Sequence, residues 1–131
     1  MANLKVSAAE NKLTKIQEKN TVVDFTVCPV NTAITVIGGK WKVIILYQLR
    51  GQTLRFGELK RIIPNITQKM LTQQLRELEK DRLVIRKVYA QVPPKVEYSP
   101  TELANKLTPV LDQLCKWGEV FNDTHTQNRQ D

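Results

Sequence analysis

Five residues near the middle of the chain are of the types that contact base-pair edges. Gln68, Lys69, Thr72, Gln73 and Arg76 offer a donor–acceptor pair for adenine, cations for guanine, and a methyl group for thymine. At ~100° per residue they fall on one side of a helix. Further along, Arg86, Lys87 and Lys95 are of the type that holds phosphates or reaches into a groove. A polar helix face alone equally describes an ordinary solvated helix, and a basic hairpin alone equally describes an edge protected against aggregation. The elements around these residues decide between the two.

Leu71, Leu75 and Leu78 form an apolar stripe on the other side of that helix and would seat it. The Thr67 hydroxyl is placed to cap it. A short helix, Phe56 to Ile63 with Phe56, Leu59, Ile62 and Ile63 inward, precedes it across a Pro64-Asn65 turn. Leu83 to Tyr89 is rich in β-branched residues and reads as a strand, with Lys95 to Tyr98 as its partner and Val92-Pro93-Pro94 as a stiff tip. Helix, turn, helix and hairpin in this order make a winged helix-turn-helix, a fold that docks on double-stranded DNA. The class is mainly α with a small β-hairpin.

The flanks are helical too. Val30, Ile34 and Ile37 share a face, and Gly38-Gly39 ends that helix. Trp41 to Leu49 reads as a buried helix stopped by Gly51. Ser99-Pro100-Thr101-Glu102 reads as a capped helix start with serine as the cap. Pro109 interrupts or restarts that helix. Val110, Leu114, Trp117 and Phe121 then recur at helical spacing. With the core filled by other elements, this stripe is expected to pair two subunits. Residues 1–22 read as a polar arm, 23–121 as the winged domain with a C-terminal dimerisation helix, and 122–131 as a frayed polar tail.

Charge is distributed in keeping with this. The 131-residue chain carries a net +7. Lys40 to Lys95 holds 13 basic and 4 acidic residues, while the remainder holds 7 and 9. The positive excess therefore surrounds the helix and hairpin, as on a nucleic-acid surface.

Several function classes find no support. No apolar run approaches the ~20 residues of a membrane span, and residues 1–19 are too polar for a signal peptide; the expected compartment is the cytoplasm. Two cysteines are too few for a disulfide scaffold, and one histidine, His125, with no Cys-x-x-Cys pair gives no zinc site. Gly38-Gly39-Lys40 is not a phosphate loop, since Ile34 and Trp41 occupy the places of the required glycine and hydroxyl residue. No paired acids, triad or metal ligands suggest an enzyme, and no cofactor is implied.

The cysteines differ. In Val27-Cys28-Pro29, a helix starting at Pro29 puts Cys28 at its positive end, which favours the thiolate. A redox-sensing thiol and a small residue packed at a helix start both fit. Cys115 borders the apolar stripe and is expected to be packed.

The chain resembles the HxlR-type bacterial transcription regulators, winged-helix relatives of the MarR group. The resemblance covers roughly Cys28 to Glu119. It is carried by Cys28-Pro29-Val30, Ile37-Gly38-Gly39-Lys40-Trp41, Arg55-Phe56-Gly57-Glu58-Leu59, the run from Met70 to Glu79, the run from Val92 to Tyr98, and Thr101-Glu102-Leu103. It implies a homodimer joined through N- and C-terminal helices that binds operator DNA by helix and wing. It also implies, from some relatives, a response to oxidants or electrophiles at Cys28. Two features depart from the family: Asp81-Arg82-Leu83 stands where Asp-Gly-Leu is usual, and the N-terminal arm is long. The expectation is a homodimeric regulator, a repressor, reading a two-fold operator. A regulator of the same fold answering to a small-molecule effector, and a winged helix used for protein contacts, are the alternatives.

Overall fold

The computed structural model describes residues 28–130. The expected arm at 1–22, and residues 23–27, lie outside the described residues. The chain divides into two compact units, 1–36 and 37–131.

Of the first unit, Cys28 and most of α1 (Pro29–Ile37) are described. Proline as first helical residue fits there because its missing N–H would have no partner in any case. The Cys28 carbonyl accepts from the Thr32 N–H at 3.0 Å, so Cys28 stands at the cap as expected. Val30 and Ile34 are exposed.

In the second unit, α1 ends and the chain turns at Gly39, whose φ of +85° lies where glycine meets no steric cost. Then come α2 (Trp41–Leu49), β1 (Leu54–Arg55), α3 (Phe56–Ile62), α4 (Gln68–Lys80), β2 (Val84–Tyr89), β3 (Lys95–Pro100), α5 (Glu102–Asn105) and α6 (Thr108–Gln130). The sheet is antiparallel in the order β1-β3-β2. Leu54 pairs with Tyr98, and Arg86 pairs with Tyr98 from the other side.

Ile45, Leu46 and Leu49 of α2, Leu59 and Ile63 around the end of α3, Ile66, the three leucines of α4, Leu83, Val84, Tyr98, Ala104 and Leu111 form the core. The stripe Leu71, Leu75, Leu78 is buried as its spacing requires. Ile62 is 42% exposed rather than inward. α3 ends there, and Ile63, which follows in extended conformation, fills the core instead.

The end of α4 explains a sequence oddity. The Arg82 N–H donates to the Glu79 carbonyl at 3.0 Å and the Leu83 N–H to the Leu78 carbonyl at 2.9 Å. These are the two bonds of a Schellman cap, with Leu78 and Leu83 as its buried apolar pair. The cap puts Arg82 at φ +62°, which for a residue with a Cβ costs about 1–2 kcal/mol. A glycine at this position would avoid that cost. Thr101 supports the strained position, since its hydroxyl donates to the Arg82 carbonyl at 2.7 Å.

Other expectations need correcting. Ser99 and Pro100 do not cap a helix; they end β3, with Pro100 opposite Val84. Thr101 is the cap of α5, accepting from the Ala104 N–H at 3.2 Å. Residues 122–130, read from the sequence as part of a frayed tail, continue α6 to Gln130. There the His125 ring stacks on Phe121 with centroids 4.0 Å apart, and Phe121 lies 5.4 Å from Trp117. Cys115 is exposed rather than packed. It lies one turn beyond buried Leu111, on the side of α6 that meets α2. There the neighbouring Cys115 thiol, with partial burial, pushes the Tyr47 phenol's pKa above its ordinary value. Beside it, Arg50 stacks on the Tyr47 ring at 3.7 Å and its Nε donates to Asp112 at 3.2 Å.

Candidate nucleic-acid interface

The interface is built on α4. Thr67 caps it, its hydroxyl accepting from the Met70 N–H at 3.0 Å. Asn65, at φ 68° in the turn before it, is a residue type that tolerates this region. The leucine stripe fixes the rotation of the helix about its axis. Gln68, Lys69, Gln73 and Arg76 are therefore exposed and Thr72 is half-buried, all on one open face that Glu77 also lines. The structure thus brings together all five residues singled out on this helix. The Thr72 hydroxyl donates to the Gln68 carbonyl at 2.8 Å. Its proton is satisfied inside the helix, which leaves the methyl group for apolar contact.

The wing divides the three basic residues expected to act together. Side chains alternate across a strand, and Arg86 pairs with Tyr98 whereas Lys87 pairs with Glu97. Arg86 shares a cleft with Thr72, Leu75, Arg76, Glu79 and Tyr98, so it extends the α4 face. Lys87 and Lys95 lie on the opposite face of the hairpin, with their Nζ atoms 5.0 and 4.7 Å from the Tyr89 ring centroid. Lys95 also pairs with Glu97 at 3.3 Å, and the Tyr89 hydroxyl donates to Glu97 at 2.9 Å. These bonds, Tyr89 first and then Lys95, hold the Glu97 carboxyl below the usual carboxylate range. Lys95 is therefore partly neutralised within the wing, whereas Arg86 and Lys87 are exposed. Val92 at the tip is almost wholly exposed.

Sequence reasoning missed two parts of this surface. One is Tyr89, the platform for both wing lysines; the alternation of strand residues was the available signal. The other is Glu77, held by Lys42 of α2 at 2.6 Å and by Gln73 at 3.3 Å. The four-residue spacing of Gln73 and Glu77 was legible, but the contact to α2 was not.

The candidate seam is also placed. Val110, Leu114, Trp117 and Phe121 lie on α6 and are 49%, 48%, 65% and 46% exposed. Val120 joins them at 62%, while Leu111 is the buried apolar residue of this helix. Among the described residues no helix is long and apolar enough to cross a membrane, and no group of His, Cys, Asp or Glu is arranged to hold a metal.

Comparison with known proteins agrees with this geometry. The HTH-type transcriptional regulator YkvN of Bacillus subtilis is 62% identical over 94 residues, covering 72% of this chain and 80% of that protein. YdeP of the same organism, also named an HTH-type transcriptional regulator, is 54% identical over 100 residues, covering 76% and 78%. The redox regulator HypR in its reduced form is 52% identical, with a TM-score of 0.72 over 76% of this chain and 99% of that one. The family model described as HxlR-like helix-turn-helix matches residues 36–126. The relatives are regulators and not enzymes, and the fold is the mainly helical winged helix anticipated from the residues. The chain belongs to the HxlR-like helix-turn-helix family of transcriptional regulators.

Proposed function

We propose that the chain acts in the cytoplasm as a homodimeric repressor that binds a two-fold operator. α4 enters the major groove and the wing holds the flanking backbone. Residues 23–121 supply reading and pairing. The observation that carries this reading is the outer face of α4, where Gln68, Lys69, Thr72, Gln73 and Arg76 stand together while the opposite leucines are buried. Arg86, Lys87 and the partly neutralised Lys95 hold phosphates. If a dimer neutralises about 8 phosphates, log affinity falls with log salt at a slope near −7. Titrating a promoter fragment against scrambled competitor over a range of salt checks both points. A slope near zero, or equal affinity for the scrambled DNA, removes the operator reading and favours a protein-contact role.

The signal is proposed to be an oxidant or electrophile acting at Cys28. Cys28 stands at the start of α1 with a free, partly exposed thiol, and the similar protein HypR is named a redox regulator. The expected result is that Cys28→Ser stays on its operator under a mild thiol oxidant that releases the parent, read by gel shift. Release of both proteins alike would point to another effector, such as a small molecule bound between subunits.

A further inference from the structure

Glu77 is an acid on a face otherwise built for DNA, and its bonds indicate why it is there. One carboxylate oxygen meets Lys42 Nζ at 2.6 Å; the other accepts from Gln73 Nε2 at 3.3 Å, one turn earlier on α4. The Lys42 side chain is only 13% exposed and that of Glu77 is 41% exposed. The ion pair is thus rooted in the body of the domain and rises to the surface beside Gln73. Lys42 first, and then Gln73, hold the Glu77 carboxyl below its usual range, so it remains an acceptor with no proton to donate.

An acceptor-only partner settles which way the Gln73 amide faces. Its NH2 group turns to Glu77, and its carbonyl is left for other partners. One N–H of the amide is used; the carbonyl and the second N–H remain. That pair matches adenine in the major groove, where N6–H donates and N7 accepts. Lys42 also offsets the repulsion that a free carboxylate would exert on DNA phosphates. Without the tether, the flexible glutamine would have to be ordered at the moment of binding. Immobilising such a side chain weakens a contact by roughly two- to tenfold.

We propose that Glu77 is a positioning residue for sequence readout, holding Gln73 in the orientation that selects adenine in each operator half-site. The proposal rests on α4 reading DNA as described above. The test uses the full chain and measures affinity for operators varied one base pair at a time, for the parent, Gln73→Ala, Glu77→Ala and the double variant. Gln73→Ala is expected to abolish preference at one base pair per half-site, an A·T pair. Glu77→Ala is expected to lower the preference at that same pair by about two- to tenfold and to leave the other positions unchanged. In the Gln73→Ala background, Glu77→Ala should change no preference. Glu77→Met, which keeps a helix-forming side chain of similar length, should repeat the Glu77→Ala result and guards against misfolding.

A parent-like preference in Glu77→Ala or Glu77→Met, a loss spread evenly over all positions, or an effect that persists without Gln73 would overturn the positioning role. If Gln73→Ala itself changes no preference, the failure lies instead with Gln73 as a reader.

Discussion

Trp117→Glu combined with Phe121→Glu is expected to convert the proposed dimer to monomers in sedimentation velocity and to cut affinity for a two-fold operator by about a thousandfold or more. The argument starts from what α6 buries within its own subunit. The helix runs for 23 residues, about 34 Å at 1.5 Å per residue, yet Leu111 is its one buried apolar residue. Val110, Leu114, Trp117, Val120 and Phe121 are all roughly half exposed or more. Fully burying one large apolar side chain contributes about 1.5–3 kcal/mol, so a two-fold pairing that covers ten of them gains enough to offset the cost of association. Four carboxylates in that seam would each lose water without gaining a partner, at several kcal/mol per ion. A monomer keeps one reading helix, whereas a two-fold operator is read by two helices about one turn of DNA apart. The variant should therefore bind the full operator no better than a half-site. An undiminished dimer would move the seam elsewhere on the molecule. Retained dimer affinity for DNA in a sedimenting monomer would show that the two half-sites are bound independently.

The parts of this fold that were legible in the sequence are those set by local spacing. Leu71, Leu75 and Leu78 give away the buried side of α4, and the free side with it, because helical period alone decides both. Thr67 is where a cap must be, and the β-branched and aromatic residues between Leu83 and Tyr89 mark β2. The parts that were not legible depend on distant partners or on elements too short to show a period. β1 has two residues, Leu54 and Arg55, and exists because β3 offers it a ladder. Ser99 and Pro100 carry a helix-start signal, yet pairing with β2 keeps them in the strand. The polar stretch after Phe121 gives no apolar period, but the stacked rings of Phe121 and His125 lie along its first turn. At the site, five of the eight basic and polar candidates share the α4 face, and Arg86 joins them. Lys87 and Lys95 separate from Arg86 by the two-residue alternation of strands, which residue type alone does not reveal. The Lys42–Glu77 pair joins residues far apart in the chain, and no local pattern announces it.

Leu75→Ala is expected to destabilise the protein by about 3 kcal/mol, within the 2–5 kcal/mol usual for a buried leucine. Leu75 is 2% exposed and sits in the middle of α4, beneath the cleft between Arg76 and Arg86 and beside Tyr98. Replacing its isobutyl group by a methyl leaves a space that α2, packed on α4, and the sheet cannot both close, so the loss includes a cavity cost as well as transfer from water. Against a total of about 5–15 kcal/mol for a domain, this lowers the thermal midpoint on the order of 10 °C. Urea unfolding at fixed protein concentration measures it, since a dimer's midpoint depends on concentration. Gln73→Ala, on the exposed side of the same helix, is expected to stay within about 0.5 kcal/mol of the parent. The two variants should then exchange effects on DNA. Where Leu75→Ala remains folded, it should keep the parent's base preferences, because the groups that meet the groove are untouched. Gln73→Ala should keep its stability and lose one preference. If Leu75→Ala instead shifts the base preferences while costing little stability, the leucine stripe does not seat α4 as described, and the outer face does not owe its orientation to the core.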